Sequence, residues 1–192
     1  MFTDADLFLT VNHLLPPALA RCFVAFTVLG KEVMPLFFLA LLVVTRKERF
    51  RRALWCLASV LASELFAQVA KHLVRRVRPW VALADRDVHV FWTHEAGFSF
   101  PSGHTTAAWA LATAVTVHWP RLGFVALPLA TLVGVSRVVV GAHYPGDVAA
   151  GMVLGMAGAA VAEVLRWGID PRLPWRPKAT LPAVAQARAP RG

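Results

Sequence analysis

Two histidines, three separated cations and a carboxylate stand in this chain at spacings suited to phosphoryl transfer. They fall in three blocks: Lys71-x6-Arg78-Pro79, Pro101-Ser102-Gly103-His104, and Ser136-Arg137-x5-His143-x3-Asp147. Arg78 and Arg137 each offer a guanidinium fork to phosphate oxygens, and Lys71 offers a point charge. Lys71 and Arg78 are seven residues apart, about two helical turns, so the spacing predicts both on one face of a helix end. Ser102 is placed as the N-cap of a helix beginning at Gly103, and Gly103 lets the backbone approach a ligand closely. A helix start presents N–H groups and positive dipole to an anion. His104, in that first turn, can protonate a departing alkoxide. Asp147 lies four residues beyond His143, within reach of an imidazole N–H, where it would fix the tautomer while the other ring nitrogen attacks phosphorus.

Each block alone has a plainer explanation. Basic residues at a helix end also complement the dipole or anchor in lipid headgroups. A histidine at an interface is often merely solvated, and an Asp early in a helix is often only a cap. The weight lies in the combination.

Those blocks are separated by apolar stretches that must position them. Of 192 residues, 57% are hydrophobic and the mean hydropathy is +0.57, too apolar for an ordinary soluble domain. Hydrophobic runs near the length a bilayer core requires occur at about 20–44, 53–70, 103–119, 122–141 and 148–166. Trp80 and Trp92 mark one set of ends, Trp119 and Trp167 the other. The fold expected is all-α: an integral membrane bundle of about five transmembrane helices, preceded by an N-terminal amphipathic helix over Met1–Leu15 that lies on the membrane and stops at Pro16-Pro17. Asp4 and Asp6 near its start, and the lack of a small-x-small cleavage site, speak against a signal peptide. Residues 1–170 form one transmembrane domain, and the Pro-rich basic stretch 171–192 is expected to be a disordered cytoplasmic tail. Lys31-Glu32 interrupts the first run, which fits an interface reached by a tilted helix or a broken span.

Charge distribution supplies an orientation. Twelve Lys and Arg fall on the face formed by residues 46–52, Arg121 and the tail from Arg166 onward. The opposite face holds six: Lys71, Arg75, Arg76, Arg78, Arg86 and Arg137. The richer face is expected to be cytoplasmic, which puts all three blocks outside the cytosol, in the periplasm or at the cell exterior of a bacterium. The net charge of +9 is accounted for by such orienting loops, so no nucleic-acid partner is expected. Cys22 and Cys56 lie in apolar runs without metal or disulfide spacing. The connection 71–101 is long for a helical protein, and its Phe91, Trp92 and Phe98 could dip into the headgroup layer. His89 and His94 are possible rim residues, and Arg75, Arg76 and Arg86 have no assigned role.

Together the three blocks resemble, without gap or substitution, the signature of the type 2 phosphatidic acid phosphatase family, especially its small bacterial membrane members. The resemblance covers residues 71–147. It implies a helical bundle with a metal-free, cofactor-free site at the outer membrane surface. It also implies roles: Lys71, Arg78, Ser102, Gly103 and Arg137 hold phosphate, His143 attacks, His104 is the general acid, and Asp147 orients His143. The expected substrate is a lipid phosphate or isoprenyl diphosphate of the phosphatidic acid, phosphatidylglycerol phosphate or undecaprenyl diphosphate type, cleaved through a phosphohistidine. Three alternatives stay open: phosphoryl transfer to another lipid or sugar, lipid-phosphate binding or transport without chemistry, and the vanadate chemistry of related haloperoxidases, against which the short membrane-embedded layout speaks. Oligomeric state is not legible.

Overall fold

The computed structural model describes residues 3–31, 47–91 and 97–169, and all of their regular elements are helices. They are α1 (Asp4–Asn12), α2 (Pro17–Ala20), α3 (Phe23–Lys31), α4 (Lys47–Val74), α5 (Pro79–Ala82), α6 (Gly103–His118), α7 (Pro120–Val139) and α8 (Pro145–Ile169). The last four expected hydrophobic runs are α4, α6, α7 and α8. Of the first run, α2 and α3 are described as far as residue 31. Glu32, Trp92, His94 and the 171–192 tail lie outside the described residues, as do the side chains at 29–31.

Arg49–Ala82, Pro120–Val139 and Pro145–Ile169 are long and apolar enough to cross a membrane. The pair Asp4–Asn12 and Pro17–Val28 would make a fourth span if counted as one, although it is bent by 100°. The 103–119 run forms a helix of 16 residues, about 24 Å at 1.5 Å per residue, short of a bilayer core of about 30 Å. It compensates by lying centrally, packed on α4, α7 and α8.

Helix boundaries follow local chemistry. Thr3 and Asp6 form a capping box at the start of α1, and Pro17, Pro79, Pro120 and Pro145 each occupy the first turn of a helix, where a missing N–H costs nothing. The interior of the bundle is built from small residues. Ala107, Ala110 and Ala114 on α6 pack with Cys56 and Val60 of α4. Gly151 and Gly155 form a Gly-x3-Gly stripe on α8, and α6 lies directly over it. A Cβ at Gly155 would stand 2.5 Å from the Thr106 carbonyl oxygen, and one at Gly151 would stand 2.8 Å from that of Ser102. Close backbone approach of this kind is how apolar helices associate where water exclusion supplies no force. Ser63 adds a polar stitch from α4, donating to the carbonyls of Ser59 at 2.7 Å and Gly155 at 3.2 Å. Large apolar side chains such as Leu61, Leu65, Leu73, Phe124, Val164 and Leu165 face outward instead.

The helices alternate in direction, so the C-termini of α4 and α7 and the N-termini of α6 and α8 gather at one end of the bundle. The opposite end collects Arg52, His118, Glu163 and Arg166. There Glu163 pairs with His118 at 2.9 Å and with Arg166 at 2.7 Å. The N-terminal segment differs from a helix simply lying on lipid, because α1 contacts α7 and α8 and buries Phe8 and Asn12 completely. The Asn12 amide donates to the carbonyls of His89 at 2.9 Å and Val139 at 3.0 Å, and accepts from the His89 N–H at 2.8 Å. A buried amide needs such partners, and these fasten α1 to the stretch before Phe91 and to the end of α7.

Candidate active site

All eight singled-out residues of the three blocks lie at the end where α4 and α7 finish and α6 and α8 begin. His143 sits in the turn between α7 and α8, which Gly141 opens with φ +83°. Its ring is 1% exposed. The N–H groups of Ala142 and His143 both donate to the Arg137 carbonyl, at 3.0 and 3.1 Å, closing the turn and tying His143 to the last turn of α7. Arg137 itself is fully buried.

The orientation of His143 differs from the sequence expectation in one respect. Asp147 Oδ2 is 3.6 Å from Nδ1, beyond a good hydrogen bond. The nearer partner is the backbone carbonyl of Ser99, 2.7 Å from Nδ1. Asp147 acts one step out: its Oδ2 accepts from the Ser99 hydroxyl at 2.5 Å and from the Tyr144 N–H at 3.0 Å. With Nδ1 donating to Ser99, Nε2 carries the lone pair, and that nitrogen faces the Arg78 guanidinium, 3.4 Å from Nη1. An imidazole so held presents its unprotonated nitrogen beside a fixed cation.

Arg78 reaches this place by a different route from the predicted helical face. The helix α4 stops at Val74, Arg75 takes the left-handed conformation with φ +50°, and Arg78 is extended at φ −70°, ψ 151°. The chain has thus left the helix axis by Arg75, and Arg78, itself disfavoured in helix before Pro79, does not complete two turns from Lys71. The Arg78 fork is then pinned by the carbonyls of Gly97 at 3.1 Å and Ala142 at 3.2 Å. Lys71 stays in the last turn of α4, where a cation complements the dipole. Its Nζ lies 3.8 Å from where a Cβ of Gly103 would stand.

Ser102 occupies the N-cap position of α6 without a side-chain capping bond. Its hydroxyl accepts from Thr105 Oγ1 at 3.0 Å, its carbonyl accepts from Thr106 Oγ1 at 2.9 Å, and its N–H donates to the Asp147 carbonyl at 3.0 Å. That last bond joins the starts of α6 and α8. Gly103 and the buried His104 follow in the first turn of α6, so two helix N-termini present positive dipole to the same end.

Sequence reading missed Ser99 and Arg76. Arg76 Nη1 bonds Asp147 Oδ1 at 2.8 Å and Asp4 Oδ2 at 2.7 Å, and its guanidinium lies over the Tyr144 ring at 3.8 Å. Burial pushes the Tyr144 phenol above its usual range, against the opposing pull of Arg76. Asp4 also accepts the Gly146 N–H at 3.0 Å, so α1 braces the start of α8. The available signals were position alone: Arg76 lies between two block residues, and Ser99 lies just before Pro101-Ser102. Arg76→Met keeps bulk and removes the ion pair. We expect it to lower kcat roughly 10- to 100-fold through misplacement of Asp147, with KM little changed. A pure rise in KM in steady-state assays would contradict that positioning role.

A family model described as the PAP2 superfamily matches residues 52–169. A lipid A 1-phosphatase from Rhizobium johnstonii is 37% identical over 99 residues, covering 50% of this chain and 41% of that protein. The undecaprenyl-diphosphatase BcrC of Bacillus subtilis is 40% identical over 77 residues, covering 40% of this chain and 38% of that protein. The chain thus spans less than half the length of these curated relatives. The crystal structure of a transmembrane PAP2-type phosphatidylglycerolphosphate phosphatase from Bacillus subtilis superimposes with a TM-score of 0.67 at 26% identity, covering 89% of this chain and 86% of that one. With its long apolar helices, this likeness marks an integral membrane protein.

Proposed function

Because the chain belongs to the PAP2 superfamily, we propose that it is a metal-independent membrane phosphatase acting on a lipid phosphate or isoprenyl diphosphate through a phosphohistidine. The observation that carries this reading is the pairing of His143 Nε2 with Arg78 at 3.4 Å, while Nδ1 is anchored on Ser99. A non-catalytic binder needs the cations but has no use for an oriented imidazole.

In the proposed reaction Lys71, Arg78 and Arg137 neutralise the non-bridging oxygens, assisted by the N-terminus of α6 at Ser102-Gly103. Catalysis is then mostly positioning and electrostatics. His143 Nε2 attacks phosphorus in line; the N–P bond forms as the bond to the leaving oxygen breaks. His104 gives that oxygen its proton, and Ser99, with Asp147 and Arg76 behind it, holds the Nδ1 proton on the imidazolium. A water molecule next loses a proton to His104 and attacks the phosphohistidine. The P–N bond returns its electrons to His143, and inorganic phosphate leaves.

Support for a lipid substrate comes from an apolar groove of about 270 Å³ on α1, α7 and α8, bordered by Leu7, Val11, Val138, Pro145, Val148 and Met152. Its lining reaches Pro145 and Val148 in the first turn of α8, the turn that also carries Asp147, so a hydrocarbon tail there would have its headgroup at the same end of the bundle as the cations. The named relatives act on lipid A 1-phosphate, undecaprenyl diphosphate and phosphatidylglycerol phosphate, and these chemistries, with phosphatidic acid, define the substrate class. The site end is opposite the Arg-rich start of α4, Arg121 at the start of α7 and Arg166 near the end of α8, which supports an extracytoplasmic active site in a bacterial inner membrane with the C-terminal tail in the cytoplasm.

The test is phosphate release by purified, detergent-solubilised protein in EDTA from phosphatidic acid, phosphatidylglycerol phosphate and undecaprenyl diphosphate. Release that survives EDTA is expected, and the order of rates ranks the lipids. No release from any of them by folded protein would overturn the phosphatase reading.

A further inference from the structure

A second cluster of reactive side chains lies on the outer rim, outside the phosphate site. His13 closes the C-terminus of α1, and Asp87 and His89 stand two residues apart in the non-helical stretch before Phe91. One ligand atom from each lies within 4.8 Å of the other two. The two imidazole centroids are 4.6 Å apart. The site is exposed at His13 and Asp87 and half-buried at His89.

We propose that His13, Asp87 and His89 bind one divalent ion of the zinc class. Three observations carry this. The ligands are preorganised: His13 adjoins Asn12, whose side chain bonds both the N–H and the carbonyl of His89, so the segments are in register before any ion arrives. Metal-bound imidazoles commonly fix their second nitrogen on a carbonyl, and His13 Nε2 lies 2.7 Å from the Asp87 carbonyl oxygen. His89 Nδ1 is buried with no hydrogen-bond partner among the described residues, a cost that ordinary packing leaves uncompensated.

The donor set selects the metal. Two imidazole nitrogens and one carboxylate suit zinc, nickel or copper, whereas magnesium and calcium take oxygen donors. Three protein ligands leave one tetrahedral position for water.

The ion takes no part in the chemistry at His143. It ties the end of α1 to the loop that covers the turn carrying His143, since the His89 carbonyl oxygen lies 2.5 Å from where a Cβ of Gly141 would stand. It is a clamp on the rim of the site, beside the Asn12 bonds.

The experiment is a zinc chloride titration of full-length, tag-free protein in detergent by calorimetry, with cobalt absorption as a second readout. Wild-type protein is expected to bind one zinc ion that excess magnesium does not displace. His13→Ala and Asp87→Asn, both at exposed positions, are expected to lose that ion with helical circular dichroism unchanged. Hydrogen exchange should slow at residues 5–13 and 83–91 when zinc is added to wild type alone. Absence of binding, or binding unchanged in both variants, would overturn the assignment. The titration is independent of turnover, so it stands or falls apart from the phosphatase reading.

Discussion

Replacing His143 with alanine is expected to reduce phosphate release to background, a loss on the order of 10⁴-fold or more, as for removal of a covalent nucleophile. The magnitude follows from its position. The ring is held with Nδ1 2.7 Å from the Ser99 carbonyl oxygen and Nε2 3.4 Å from the Arg78 guanidinium, and alanine leaves nothing at that position to attack phosphorus. The alanine variant keeps Arg78, Arg137 and Lys71, and should still bind substrate or inorganic vanadate. Helical circular dichroism and detergent-phase melting separate lost chemistry from lost fold. Acid-labile phosphate labelling should vanish with turnover; wild-type activity in the variant would remove His143 from the mechanism.

The second large effect belongs to Arg78. Arg78→Lys preserves charge, yet a loss on the order of 10²-fold or more in kcat is expected, comparable to removing one donor from a preorganised oxyanion site. The guanidinium divides its donors among the Gly97 carbonyl, the Ala142 carbonyl and the region of His143 Nε2. A lysine ammonium is a mobile point charge and cannot hold those directions together. Vanadate inhibition should weaken in parallel, since the same fork would serve a trigonal bipyramidal ion. Kinetics close to wild type with lysine would show that charge alone suffices and that the fork is structural.

Much of this site was legible because its parts announce themselves locally. Ser102-Gly103 ahead of an apolar run marks a helix start, Pro145 marks another, and the hydrophobic runs place both at bundle ends. Hydrophobic runs found α4, α6, α7 and α8 for the same reason: each is a continuous apolar stretch bounded by Pro, Gly or a change in polarity, although α6, with 16 residues, is short for a span. What escaped depends on contacts between distant parts of the chain. Arg76 meets Asp147 across 71 positions, Ser99 meets it across 48, and Asn12 meets His89 across 77. No periodicity encodes such pairings. The helical face assigned to Lys71 and Arg78 is not formed, because α4 ends at Val74 and Arg75 turns left-handed, three residues before the pre-proline position at Arg78.

The Gly-x3-Gly stripe of α8 bears on how variation in this chain will be read. Gly151 lies against the Ser102 carbonyl, so a methyl group there would press on the residue that opens α6 at the proposed phosphate site. Selection for activity would therefore reject alanine at a position that neither donates a proton nor touches a ligand. In a mutational scan Gly151 and Gly155 would score beside the histidines. Their invariance would record the width of a gap between two backbones, and a map of intolerant positions would draw the reaction centre larger than its chemistry.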